Sequence, residues 1–386
     1  MNDFVYSYQT KQYFGKNAAK KAFDAELSKY GKKVMLAYGG GSIKKSGIYD
    51  EMISLLKDAG KEIIEFSGIM PNPTYKKVQE GAKIAKNSGI DFILAVGGGS
   101  VIDCCKILSS QACTDEDIWD MEFSKGKFPA AQIPMGAVVT ASGTGAEQNA
   151  GAVITNEEKK IKTGVFGAHY DFAVLDPEYT LSLPINQVIS GAFDTLSHCM
   201  ETYFGVPGEY NLSDDINEAV MKSVIKNIRA VVSDNHDIHA RGELMWASAM
   251  GENGLLKIGK ITDFQAHQIE HQLGAYTDCN HGQGLAVIHP VLYRHIYEEN
   301  IKKFAQFASH IWGIEKTDKT DKELALAGIE ALADFIKEIG LPTSFSKMNI
   351  DQNTDFKAIA DSTNITAGCC KKLTHEEILE ILIECL

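Results

Sequence analysis

Apolar and polar positions in the first half of the chain follow two periods in alternation. "KKVMLAYGGGS" is an apolar run that ends in glycines, the pattern of a buried strand entering a turn, and "SGIYDEMISLLKDAG" after it has apolar residues at helical spacing. A second strand, "KEIIEFSG", leads through "MPNPTY" to a helix over "YKKVQEGAKIAKNSG", and "DFILAVGGGS" then opens another strand and helix. Strand, turn and helix repeated in this order predict a parallel sheet with helices on its faces. Ligands on such sheets sit beyond the carboxyl ends of the strands, where both GGGS segments fall. After "FAVLDPEYTLSLP" the pattern changes. Long segments at helical spacing dominate, among them "INEAVMKSVIKNIRAVV" and "KELALAGIEALADFIKEIG", with few β-branched runs. The expectation is an α/β dinucleotide-binding domain over residues 1–183 and an all-α domain over 184–386.

Composition narrows the function. The 386 residues are 44% hydrophobic and 23% charged, as in a globular protein, and carry a formal net charge of -13. Such acidity argues against a general nucleic-acid binder, which needs a basic surface for phosphates, and disfavours an anionic membrane surface. No basic segment precedes an apolar run at "MNDFVYSYQTKQYFG", and no apolar run approaches the roughly 20 residues of a bilayer span. A cytoplasmic protein is expected. Its 8 cysteines lack C-x-x-C spacing and read as buried hydrophobes or free thiols.

Glycines at Gly39–Ser42 and Gly97–Ser100, each between strand and helix, let backbone approach a phosphate and place N–H donors at a helix start. Alone, either is a tight turn. Together with a third polar loop, "TASGTGAE", they favour a dinucleotide, although none fits G-x-G-x-x-G.

"DTLSHCMETY" places Asp194 and His198 four apart on one helical face, and "DFQAHQIEHQLGAYTDCNHGQG" does the same with His267 and His271, with His281 beyond a turn. Imidazole and carboxylate ligands without thiolate suit Fe(II) or Zn(II). A single such histidine is ordinarily a hydrogen-bonded core or surface side chain, and His236 and His239 in "DNHDIH" read as solvated. Several in apolar helical contexts, where an unpartnered charge is costly, favour a site.

These segments, with "PNP", "FAVLDPEYT" and "MWASAMGENGLL", resemble the iron-dependent (group III) alcohol dehydrogenase family over almost the whole chain, and within it the NADPH-dependent butanol dehydrogenase and aldehyde reductase branch. The resemblance implies a dehydroquinate synthase-like architecture with a cleft between the two domains. It implies Asp194, His198, His267 and His281 as metal ligands, with His271 facing nicotinamide and substrate. It implies coenzyme contacts from Gly39, Gly41, Ser42, Asn72, Gly98, Gly99, Ser100, Asp103, Thr140, Ser142, Thr144, Lys160 and Lys162. Ala146 departs from it, since many relatives carry serine there.

The expected chemistry is reversible hydride transfer between NADP(H) and a primary alcohol or aldehyde, with Fe2+ (or Zn2+) polarising the substrate oxygen. Asp194, His267 and His271 form the expected catalytic group, His271 either relaying a proton, orienting His267 or only lining the pocket. Alternatives are a metal- and nicotinamide-dependent lyase or cyclase of the dehydroquinate synthase type, or a glycerol or diol dehydrogenase. The first turn, "YGGGSIKKSG", has no acid to repel a 2'-phosphate, so NADPH is preferred over NADH, with Lys44 or Lys45 supplying charge. A homodimer is the commonest assembly.

Overall fold

The computed structural model describes residues 2–386 and divides into two compact units. One comprises Ser7–Pro184 with His236–Ala249, and the other Ile185–Asn235 with Met250–Leu386 and the N-terminal residues up to Tyr6. The helix Ile238–Glu252 therefore begins in one unit and ends in the other.

The first unit is built on a six-stranded parallel sheet of β1 (Lys11–Phe14), β2 (Lys33–Tyr38), β3 (Glu62–Phe66), β4 (Phe92–Gly97), β5 (Met135–Val139) and β8 (Phe172–Leu175), in the order β1-β8-β5-β4-β2-β3. Side chains alternate across it. Met35, Ala37, Ile93, Ala95, Met135 and Ala137 enter one apolar cluster. Val34, Leu36, Phe92, Leu94 and Val96, one position along, enter the other. Both faces are covered, which is why these strands read as continuous apolar runs. A separate antiparallel hairpin, β6 (Gly151–Asn156) and β7 (Ile161–Phe166), stands outside the main sheet.

Strand order decides where a ligand can sit. From β2 the chain moves outward to β3, then returns to the other side of β2 for β4 and β5. The order reverses between β2 and β4, and the loops leaving those two strands are the two GGGS turns.

The second unit is mainly helical, with long helices Ile185–Tyr203, Leu212–Ser233, His281–Ile296 and Asp321–Glu338. Capping boxes start two of them: Asn211 with Asp214, and Thr320 with Glu323. No helix among the described residues is long and apolar enough to cross a membrane. All cysteines are free, and Cys104, Cys105, Cys199, Cys369 and Cys385 are buried.

Candidate active site

Three helices of the second unit present the titratable cluster. Ile185–Tyr203 carries Asp194, His198 and Glu201, spaced to share one face. Gln265–Thr277 carries His267, Glu270 and His271. His281 is the first residue of His281–Ile296, and Asn280 caps that helix by accepting from the Gln283 amide at 3.1 Å. Ser190, on the first helix, donates to the same Asn280 oxygen and so fixes where His281 begins.

The imidazoles converge on a single atom. Nε2 of His267, His281 and His198 lies 3.3, 3.4 and 3.8 Å from Asp194 Oδ1. His198 and His267 stack with ring centroids 4.5 Å apart. Donor atoms of Asp194, His267 and His281 lie within 4.8 Å of one another, the spacing of groups that can hold a metal ion. A second group at that spacing joins Glu270, His271 and His281. The Asp194 group sets the His267 and His281 nitrogens around one carboxylate oxygen, with His198 Nε2 3.8 Å from the same atom, whereas His271 lies edge-on to His267 with centroids 6.0 Å apart. By contrast, His236 and His239 are exposed, and His239 sits in the first turn of Ile238–Glu252, not in a loop.

Three glutamates complete the cluster, none of them singled out by the sequence reading. Glu201 accepts the Ala266 amide at 2.6 Å through Oε1 and pairs through Oε2 with His267 Nδ1. One carboxylate thus satisfies an amide at the start of the second helix and orients the histidine beside it. Glu270 pairs in the same way with His281 Nδ1. An imidazole whose Nδ1–H is given to a carboxylate presents the lone pair of Nε2, so both rings are set to offer Nε2 on the Asp194 side. Glu252 lies 4.0 Å from His198 Nδ1 and receives Lys257 at 2.8 Å. Spacing held part of the signal: Glu201 is seven residues after Asp194 and Glu270 three after His267, each on the helical face of the residue it follows.

The charge balance of the cluster favours added positive charge. Asp194, Glu201, Glu252 and Glu270 are all buried. Burial works against the Asp194 carboxylate, yet the His198 and His281 imidazoles and a hydrogen bond from His267 hold it well below the usual carboxylate range. Burial likewise opposes charge on His267, but Glu201 and Asp194 raise it to about 10. His281 is raised against burial by Glu270 and Asp194. His198 is lowered by burial, which outweighs Asp194 and Glu252. Excess buried carboxylate binds either protons on these histidines or a divalent cation among neutral imidazoles. The donor set, nitrogen and oxygen without thiolate, fits Fe(II) or Zn(II).

On the first unit, the residues predicted to contact coenzyme fall on the two glycine turns at the reversal point and the helix after the second, on the Thr140–Glu147 loop, on the Pro-Asn-Pro loop and on the β6–β7 hairpin. Gly39, Gly41 and Ser42 leave β2; Gly41 has φ 107° and starts the short helix Ser42–Lys45. A Cβ at Gly40 or Gly41 would meet nothing within 4 Å, so the turn borders open space. Gly98, Gly99 and Ser100 start the helix Gly99–Gln111. A Cβ at Gly99 would lie 2.5 Å from Thr144 Oγ1, so the loop holding Thr140, Ser142 and Thr144 packs directly on the second turn. Asn72, at φ 51°, sits in the Pro-Asn-Pro loop, whose Pro73 carbonyl accepts the Thr155 amide of β6 at 2.9 Å. That contact ties the loop to the hairpin bearing Lys160, exposed in its turn, and Lys162, buried on β7. Asp103 is engaged internally as well: its Oδ2 accepts the Val153 amide at 2.9 Å, and buried Lys106 lies 3.8 Å from Oδ1. Ala146 is buried in the apolar cluster of the sheet.

Profiles of two families match, "Iron-containing alcohol dehydrogenase" over residues 9–177 and "Fe-containing alcohol dehydrogenase family, C-terminal" over 188–386. The chain belongs to the iron-containing alcohol dehydrogenase family. Among curated relatives of this iron-containing dehydrogenase, the NADH-dependent butanol dehydrogenase A of Clostridium acetobutylicum is 37% identical over 99% of both chains. The NADPH-dependent aldehyde reductase of Escherichia coli is 35% identical over 91% of this chain and 90% of its own. The crystal structure of a Thermotoga maritima NADH-dependent butanol dehydrogenase A superposes with a TM-score of 0.94 at 34% identity, covering 100% of this chain and 99% of that one. As a family member the protein is an oxidoreductase that interconverts alcohols and aldehydes with a nicotinamide coenzyme and a divalent metal.

Removing a central donor and removing an orienting one should differ in degree. Asp194→Ala or His267→Ala is expected to yield protein purified without metal but with coenzyme affinity near the parent's. Glu201→Gln, which keeps an acceptor for the Ala266 amide but no charge for His267, is expected to bind metal about 10- to 100-fold more weakly. Metal analysis and chelator competition check both, and full occupancy in Asp194→Ala would remove it from the ligand set.

Proposed function

We propose that this enzyme interconverts short aliphatic aldehydes and primary alcohols, butanal and butanol among them, by hydride transfer with NADP(H), using an iron ion held by Asp194, His198, His267 and His281. The convergence of three imidazole Nε2 atoms on Asp194 Oδ1 carries the metal assignment. Bound there, the metal supplies Lewis acidity toward the substrate oxygen. Asp194 contributes the one anionic ligand, and Glu201 and Glu270 hold His267 and His281 in the tautomer and orientation that binding requires. His271, buried and stacked on His281 at 5.6 Å, is the imidazole left for proton traffic with the substrate oxygen. No protein nucleophile takes part.

A lyase or cyclase acting on a phosphorylated acid would need cations around the site. Here the histidines are surrounded by Glu201, Glu252 and Glu270, which repel such a substrate. A small uncharged aldehyde meets no such penalty.

The NADP(H) assignment rests on the first glycine turn. The turn itself carries no acid, and Gly40 leaves room for a phosphate. One acid does come near the turn residues: Glu65 of β3, 3.7 Å from Lys44. Its oxygens already accept the Tyr38 and Tyr49 hydroxyls, at 2.5 and 2.7 Å, and these hydrogen bonds hold it below the usual glutamate range. Lys44 sits over the rings of both tyrosines, 5.1 and 4.4 Å from their centroids. Glu65 is thus offset by a neighbouring cation and its acceptors are occupied, while Lys45 remains exposed. The relatives include both NADH-dependent and NADPH-dependent enzymes.

With iron restored, the enzyme is expected to oxidise NADPH in the presence of butanal; absence of turnover with every small aldehyde would overturn the assignment. The parent should favour NADPH over NADH, and Gly40→Asp should reverse that order by placing a negative charge beside the phosphate. Gly40 is the position for this test because Gly41 has φ 107°, where any side chain is strained. A parent that prefers NADH would show that this turn does not face the adenosine ribose.

His271→Ala should keep its metal while slowing turnover and flattening the pH profile of kcat. Loss of metal equal to that of His267→Ala would instead place His271 among the ligands, as the Glu270, His271 and His281 grouping allows.

A further inference from the structure

The segment "MWASAMGENGLL" carries part of the family resemblance, yet its first half lies outside every site described so far. Met245 and Ala249 explain two of its positions, since both are buried in the apolar cluster on one face of the sheet. One helical turn before Met245, buried Arg241 donates to the Thr180 carbonyl and, at 3.2 Å, to its hydroxyl, which anchors the helix. Ser248 lies on the same stretch and is 2% exposed. Its Oγ accepts the Gly143 amide and the Gly145 amide, each at 3.0 Å.

One hydroxyl oxygen thus holds two backbone donors of the loop Thr140–Glu147, more than a hundred residues earlier in the chain. The loop is one that needs holding. Gly145 has φ 53°, a conformation with no regular ladder to stabilise it. The loop also sets the space over the second glycine turn: a Cβ at Gly98 would lie 3.0 Å from Ala141 Cβ, and one at Gly99 2.5 Å from Thr144 Oγ1. A small displacement of the loop closes or opens the start of the helix Gly99–Gln111, where a dinucleotide's diphosphate would meet the first amides.

We propose that Ser248 is a positioning residue for the coenzyme, holding the Thr140–Glu147 loop, through the Gly143 and Gly145 amides, in the shape that receives the diphosphate. Without the hydroxyl, the Gly143 and Gly145 amides lose the shared acceptor that fixes the loop, and the loop shifts. Coenzyme binding must then restore the native loop, and affinity falls. The metal ligands are not touched by the substitution.

The inference rests on the coenzyme reading of the three loops, and its test separates the two. NADPH and NADH are titrated by fluorescence into metal-loaded parent, Ser248→Ala and Ser248→Thr, with kinetics, metal content and thermal midpoint measured alongside. Ser248→Ala is expected to weaken coenzyme binding about tenfold or more and to raise the coenzyme KM equally. Its kcat at saturating coenzyme, aldehyde KM and metal content should stay near the parent's. Ser248→Thr, which keeps the hydroxyl, should restore affinity. Should the alanine variant not fold, Ser248→Cys keeps the volume with a weaker acceptor and carries the same comparison. Coenzyme affinity within about twofold of the parent's in the folded variant overturns the proposal, whatever happens to the thermal midpoint. A parent that binds neither coenzyme overturns the coenzyme reading itself.

Discussion

Burying four carboxylates in one helical cluster is the constraint on which the functional part of this protein depends. Each of Asp194, Glu201, Glu252 and Glu270 would lose hydration on folding that only a counter-charge or strong hydrogen bonds can replace. The chain answers with three imidazoles around Asp194 Oδ1, with carboxylates behind two of those rings and Lys257 against Glu252. That solution leaves the cluster anionic unless protons or a metal ion are added. The same balance that shapes the local packing therefore favours a cation among these side chains, which is the ground for the metal site proposed there.

The glutamates show how few residues this takes. Glu201 performs two tasks from one side chain, satisfying an amide at the start of Gln265–Thr277 and setting the ring of His267. The helix start and the orientation of the His267 ring are therefore mechanically one feature. Glu270 sits between His267 and His271 in sequence but serves His281, a residue of the next helix. The first turn of that helix is capped by Asn280, which Ser190 holds in turn.

In the α/β unit the corresponding constraint is backbone proximity. Gly98 and Gly99 are required because Ala141 and Thr144 occupy the space their side chains would fill. Gly40 and Gly41, in an otherwise similar sequence, face nothing within 4 Å. Two identical tetrapeptides thus serve different ends: one admits a neighbouring loop, the other leaves a volume open. Asp103, read from sequence as a coenzyme contact, has one oxygen committed to the Val153 amide, so in this fold it also fastens the hairpin to the helix Gly99–Gln111.

Periodicity by itself determined the fold class, because strands buried on both faces must be continuously apolar and helices against them must show a 3.6-residue stripe. It located β2, β3 and β4 and their helices, and the spacing within two helices put Asp194 with His198 and His267 with His271. What periodicity lacks is any record of which distant segments meet. The short edge strand β1 and the β6–β7 hairpin carry too few apolar positions to stand out. The joining of His236–Ala249 to the α/β unit depends on Arg241 reaching Thr180 and Ser248 reaching Gly143, contacts between residues far apart in sequence. Glu201, Glu252 and Glu270 read as ordinary polar helix positions until folding buries them beside histidines from other segments. Local pattern encodes which face of an element is buried; only the tertiary structure decides what that face meets, because a buried charge gains its partner from the packing of elements and not from its neighbours along the chain.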